Sequence, residues 1–270
     1  MPAYVEYCGA RIPVHTGKSA RSLYNLPDSD INHFRCGTKF TEDGDLFDGE
    51  PFGAAYGDRM PVYDVQECRE RAEFAEAHGA TIFSMWQRLI RACKNQNGWP
   101  FCWGYGGCTA YEWNWALRHN AWIELSPEVT CFEATGGKIR GGWAKEWFDA
   151  AEEGGIVPQS MVRPRDRSQH RTLSAEAREA RKQFIPDNTV HFRRGDMDSL
   201  RSSLVNNVAA GIGLMWWGHL VAFGGWTWRP KYGGLWLYQN SHSDRFGMKG
   251  WAFTTDGPAT HGGGSALLVA

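Results

Sequence analysis

The chain has 270 residues, a formal net charge of −1 and 42% hydrophobic residues, which suits one large domain or two small lobes around a real core and excludes a disordered chain. The near-neutral charge offers no pull toward nucleic acid or an anionic membrane. No apolar run approaches the roughly 20 residues of a membrane helix, and the opening MPAYVEYCGARIPVH lacks the basic and apolar regions of a signal peptide.

Residues 1 to about 60 scatter Gly, Asp, Pro and Asn with little periodicity and are expected to be irregular. A helix is predicted from Asp64 to Ala77, with Asp64 as its cap and Gly79 as its stop. A second follows over Ile82–Cys93, where Phe83, Trp86, Leu89 and Ile90 recur at helical spacing. The stretch QNGWPFCWGYGGC, Gln96 to Cys108, then sets a thiol directly after a Trp-Pro turn. A helix is expected to begin there and run from Cys102 to Arg118, with Trp103, Thr109, Ala110, Trp113 and Leu117 as core. Gly104, Gly106 and Gly107 match no nucleotide-binding fingerprint, and helix packing accounts for them.

Another helix spans Gly142 to Glu153 and is stopped by Gly154-Gly155. The basic loop RPRDRSQHR (163–171) reads as a solvated surface or an anion-binding patch, the former being the simpler account. AEAREARKQF after it is a short helix, and Asp198–Asn206 is one more. The period then changes: GIGLMWW, HLVAFGGW, GLWLYQN and GWAFTT read as strands separated by glycine turns. Helices in the middle and strands at the end give an α+β chain with two lobes.

Seven cysteines is an odd number, with no CxxC pair, so reduced thiols, an intracellular setting and no structural zinc are expected. His242 and Asp244 could touch a cation, but nothing else has ligand spacing, so neither metal nor cofactor is expected. Cys102, at the positive end of a helix, is either a nucleophile or a small buried hydrophobe. His219 opens an apolar strand, and Asn240 ends a strand about one hairpin later. An Asn240 amide oxygen could accept the ring N–H of His219 and fix its tautomer. Gln96, six residues before Cys102, could aim an amide N–H at a developing oxyanion.

These residues resemble the nucleophile segment of papain-like cysteine peptidases, in which a glutamine precedes the catalytic cysteine by six and a tryptophan usually follows. Lys94-Asn95-Gln96 is similar to the family's approach to that turn. Leu125-Ser126 resembles its "LS" segment, and Gly141-Gly142 with a following helix and Gly154-Gly155-Ile156 resembles its glycine pair, helix and "GI" turn. Gly218–Gly225 resembles its histidine strand, and Asn240-Ser241-His242 through Trp251 its asparagine motif. The resemblance covers roughly Lys94 to Phe253. It implies a papain-like two-lobed fold at 91–270, with a helical lobe about 96–165 and a barrel-like β lobe about 185–255, preceded by an N-terminal extension at 1–90. It further implies Cys102 as nucleophile, His219 as general base, Asn240 as its orienter and Gln96 as oxyanion donor. Gly141, Gly142, Trp103 and Gly218 would line the substrate site, with Gly142 offering backbone hydrogen bonds to an extended protein or peptide substrate.

The sequence departs from that pattern in places. Trp99 stands where the family often has a cysteine, so no disulfide is expected and Cys131 is a free thiol. His242 replaces a tryptophan that covers the His–Asn pair, so either water enters there or a second titrating ring is added. The stretch between GIGLMWW and His219 is nearly absent, so side-chain preference does not carry over. The first 90 residues do not read as the usual inhibitory propeptide, and a docking or structural extension that meets an assembly partner is at least as good an account, in the cytoplasm or within a larger assembly. The alternative function is a papain-like scaffold without chemistry, for example in a virus particle.

Overall fold

A computed structural model describes residues 3–17, 23, 61–90, 92–259 and 262–269. The order of elements is β1 (Ala3–Tyr7), β2 (Ala10–His15), α1 (Val65–Ala77), α2 (Ile82–Leu89), α3 (Cys102–His119), α4 (Pro127–Thr135), α5 (Ala144–Gly154), α6 (Gln169–Thr172), α7 (Ala175–Ala180), β3 (Asn188–Phe192), α8 (Met197–Val205), β4 (Ala210–Leu214), β5 (His219–Arg229), β6 (Gly233–Gln239), β7 (Trp251–Thr255), α9 (Asp256–Ala259) and β8 (Gly264–Leu268). All eight strands join one sheet in the order β1-β2-β7-β6-β5-β4-β8-β3, which is open rather than closed into a barrel. The mixture of helix and sheet is the α+β class that the sequence predicts, with a helical lobe against a β lobe.

The local chemistry explains most boundaries. Asp64 accepts from Glu67 N at 2.8 Å and caps α1, while Thr81 accepts from Ser84 N at 3.0 Å and caps α2. The second helix stops at Leu89, short of the expected Cys93, because the chain from Cys93 turns to pair with the end of β6 (below). The expectation of an irregular N-terminus fails over Ala3–His15. Val5, Tyr7, Ile12 and Val14 are buried along a hairpin whose turn, Cys8-Gly9, takes φ of 46° and 77°, as a two-residue I′ turn requires. Pro13 has no N–H to give a ladder, and pairing with β7 begins only at Val14, opposite Phe253. The rest of the region expected to be irregular, apart from Leu23, lies outside the described residues, as does Cys36.

Among the described residues three large cores, with a smaller cluster around Val129, Val157 and Val162, hold the molecule. One lies between the sheet and α2 and α3, where Phe83, Trp86, Trp113 and Trp251 meet; the Trp113 and Trp251 rings stack at 4.7 Å and 13°. A second lies on the other face of the sheet, around Phe223, Trp226, Trp236 and Tyr238. The third is that of the helical lobe, around Phe101, Trp103, Phe132 and Trp147. The heavy tryptophan content therefore goes chiefly into cores, as expected from burial energetics. The glycines of α3 serve close packing. A Cβ on Gly104 would lie 2.8 Å from Trp147 Cδ1, and Gly107 abuts Gly211 so closely that a Cβ on Gly211 would sit 2.9 Å from its Cα. No helix among the described residues is long and apolar enough to cross a membrane.

Candidate active site

Two packed elements put Cys102 and His219 at the same end of one pair. A Cβ on Gly106 would meet the Leu220 and Val221 backbone at 3.1 Å, and a Cβ on Gly224 would meet Trp113 Cζ3 at 2.8 Å. The helix α3 and strand β5 therefore run side by side in the same direction. Cys102 is the first residue of α3 and His219 the first of β5, so both stand at the same end of this pair. No side chain caps α3, and the N-terminus of an 18-residue helix favours negative charge. Both residues are fully buried.

His219 Nε2 and Asn240 Oδ1 are 2.7 Å apart. An amide oxygen only accepts, so Nε2 carries the proton and the neutral ring keeps its lone pair at Nδ1. Asn240 itself is held at the end of β6, where its N–H donates to Gly250 O at 2.9 Å and its carbonyl accepts from Cys93 Sγ at 2.8 Å.

Aromatic rings enclose this hydrogen bond. Trp217 and His242 each place a ring centroid 4.5 Å from the imidazole of His219. Trp216 stacks on Trp217 at 5.3 Å and 10°, and His15 of the N-terminal hairpin lies 5.0 Å from Trp216. Trp217 thus covers the imidazole next to His242, the Trp217 and His242 centroids lying 6.0 Å apart. The short turn 215–218, closed by the Leu214–His219 pair and by Gly218 at φ 61°, folds the Trp217 indole over the ring. His242 is itself buried, and burial together with the nearby His219 holds its pKa well below the usual histidine range.

That state carries a stability consequence. His191 on β3 is likewise held down to about 2, by burial first and by the Lys145 charge second. In the unfolded chain both rings take up a proton near pH 6.5, so below that point the unfolded state binds more protons than the folded one. Stability is full above about pH 7 and falls as pH drops, by up to about 1.4 kcal/mol per pH unit for each ring. Urea midpoints measured at about pH 7 and about pH 5 check this; the drop is expected to shrink in His191→Gln, and an equal drop in that variant would refute the assignment.

A short strap carries Gln96. Ser243 N donates to Lys94 O, and Gln96 N donates to Ser241 O at 2.9 Å. Asn95 bridges His242, and the Ser241 hydroxyl donates to Gln96 Oε1 at 2.6 Å. Gln96 Nε2 donates to Trp99 O at 2.7 Å. The strap thus ties the predicted oxyanion donor to the residues that follow Asn240. It is anchored by Lys94, whose ammonium lies 2.7 Å from Glu112 Oε1 on α3 and donates to Leu125 O at 2.8 Å. Leu125 N donates to the same carboxylate oxygen at 2.6 Å.

The remaining predicted residues fall into two groups. Gly142 is buried against the indole of Trp103, where a Cβ would come within 2.6 Å of the ring, and Gly141 accepts from Arg140 Nη1 at 2.9 Å. Trp103 is wholly buried with its N–H on Pro100 O at 2.9 Å, so its side chain backs Gly142 from within the helical lobe rather than lining a surface. Gly218 forms the turn before His219. Trp217, Ser241 and the Lys94–Glu112 pair were not singled out as site residues. The signals were local: Trp217 lies two residues before His219, and Ser241 directly follows Asn240. Among the described residues no group of three or more His, Cys, Asp or Glu side chains is placed to hold a metal ion, and none of the six described cysteines is joined in a disulfide.

No protein-family model matches the sequence, and no curated protein does. Solved structures do match. Digestive procathepsin L2 from the larval midgut of Tenebrio molitor aligns with a TM-score of 0.61 at 14% identity, covering 90% of this chain and 81% of that one. The proform of the ragweed pollen cysteine protease Amb a 11 aligns at 0.58 and 17%, covering 82% and 71%. Procathepsin B S9 from Trypanosoma congolense aligns at 0.58 and 13%, covering 90% and 88%. At such identities the likeness establishes the fold, which is that of papain-like cysteine proteases.

Proposed function

We propose that this chain, built on the papain-like fold, hydrolyses peptide bonds with Cys102 as the nucleophile. The observation that carries the reading is the 2.7 Å bond from His219 Nε2 to Asn240 Oδ1, among aromatic rings and at the start of β5, the end of that strand where α3 also begins. With Nε2–H committed to Asn240, Nδ1 is the atom that takes the thiol proton. The thiolate attacks the scissile carbonyl carbon, and the carbonyl electrons move to oxygen. The backbone N–H of Cys102 and the Gln96 amide stabilise that oxyanion. The C–N bond then breaks as Nδ1–H protonates the leaving amine, which leaves an acyl thioester on Cys102. His219 next deprotonates water, which attacks the thioester, releases the acid and returns the proton to the thiol. Gly142 contributes backbone hydrogen bonds to an extended substrate.

The test is the rate of iodoacetamide labelling of Cys102 against pH, followed by peptide mapping. Cys108 and Cys131 are internal controls, because both are as deeply buried as Cys102 and burial pushes their thiols well above the usual range. Labelling of Cys102 well below about pH 8, slowed by His219→Ala, is the expected outcome. A Cys102 that labels no faster than Cys108 and Cys131 at any pH would support the scaffold instead.

A further inference from the structure

The basic loop 163–171 is not a free surface segment. Arg165 takes φ of 64°, a conformation that costs a non-glycine residue energy and persists only where surroundings impose it. Its N–H donates to Glu128 Oε2 at 2.6 Å, and its guanidinium donates to Asn97 O at 2.9 Å. The buried Glu128 accepts in turn from the Tyr105 hydroxyl at 2.7 Å. Tyr105 lies three residues after Cys102, and Asn97 directly follows Gln96. A closed circuit of contacts therefore fixes the loop to both the nucleophile helix and the oxyanion turn. Arg167 reaches Gly137 O at 3.4 Å on the far side.

The charge of this loop is left open. Among the described residues none of Arg163, Arg165, Arg167 and Arg171 pairs with a carboxylate, and all four are exposed. Asp166 is occupied by Ser168, whose hydroxyl donates to it at 2.6 Å. A chain with a net charge of −1 thus concentrates four unpaired guanidinium groups beside one turn.

We infer that this loop is a specificity surface: it selects substrate segments that carry acidic side chains beside the scissile bond, on the Gln96 side of the site. The inference rests on the peptidase reading for its purpose, but its physical content is a binding preference. A peptide is favoured over another polyanion because the loop is fastened to the site's own turn, where an extended chain would pass. Guanidinium forks grip a carboxylate in two places and reject its neutral amide.

The test uses the full chain carrying Cys102→Ala and fluorescent octapeptides identical except for one Glu, Gln or Lys at each position in turn. Fluorescence anisotropy is expected to show Glu peptides binding about 5- to 10-fold tighter at one or two adjacent positions. The preference should collapse in about 0.5 M salt. It should invert toward Lys peptides in the charge-reversed chain Arg163→Glu/Arg167→Glu, an inversion that loss of folding cannot imitate. Equal binding of Glu and Gln peptides at every position would overturn the inference. So would a single-stranded oligonucleotide that outcompetes every peptide. Cleavage by the unsubstituted chain is scored separately. A Glu preference in binding without cleavage removes the peptidase reading and keeps the surface; cleavage without preference does the reverse.

Discussion

Cys102→Ala lowers peptide hydrolysis by at least about 10⁴-fold, as loss of a covalent nucleophile does, while its thermal midpoint stays close to that of the unsubstituted chain. The contrast is with Cys108→Ala, further along the same helix. Cys108 is fully buried and its thiol lies 3.9 Å from Glu112 Oε1, so its loss costs packing, about 1 kcal/mol or more, and leaves the chemistry in place. The two residues share helix and burial, and differ in that Cys102 is the first residue of α3 while Cys108 lies inside it. Hydrolysis rates and melting curves of both variants decide the matter. Activity that survives Cys102→Ala and disappears in Cys108→Ala would reverse the assignment.

Lys94→Met destabilises the fold by about 3–5 kcal/mol, the usual cost of leaving one member of a buried pair alone. Burial alone would discharge the Lys94 ammonium, but Glu112 reverses this and holds its pKa above the ordinary lysine value. Burial also pushes the Glu112 carboxyl up to about 7, although Lys94 and the Leu125 N–H both pull it down. Without Lys94 the carboxylate loses its strongest partner, so its pKa rises further. A carboxyl whose folded pKa lies above its unfolded value is stabilising when protonated, and that contribution is lost as pH rises. The variant is therefore worse off at about pH 8 than at about pH 5. Lys94→Met/Glu112→Leu should recover most of the loss, because replacing both members of a buried pair with apolar groups is often neutral. Denaturation midpoints for the two single variants and the double variant make the cycle; a double variant as unstable as the sum of the singles would show that the pair is not coupled.

The site was more legible in the sequence than the sheet that carries it. Cys102 opens a helix and His219 opens a strand as expected, because both sit where a turn rich in Pro or Gly gives way to a periodic apolar run. The strands over 219–229, 233–239 and 251–255 announce themselves by Val, Leu, Trp and Phe. Strands β3 and β8 are as long as β7, five residues each, but GSALL has no β-branched or aromatic residue and NTVHF breaks its apolar run with Asn and His, so neither stands out. Helix α4, PEVTCFEAT, carries too little apolar periodicity to be read as one, and its packing onto α5 and α3 determines it. The aromatic enclosure of His219 was not legible, since it depends on which way a four-residue turn folds. The same holds for the circuit through Tyr105, Glu128, Arg165 and Asn97, whose members are far apart in sequence.

The N-terminal hairpin carries a consequence for what a processing cut could achieve. Val14 and His15 are hydrogen-bonded into the same sheet as the strand at 251–255, and Phe83 and Trp86 of the next segment pack on Trp251. Cleavage anywhere between residues 17 and 61 would therefore yield a two-chain protein, the light chain held by backbone pairing, rather than a shed leader and a free body. Liberating the first ninety residues as one piece would instead strip an edge from the sheet and uncover the apolar face on which α3, and with it Cys102, is seated.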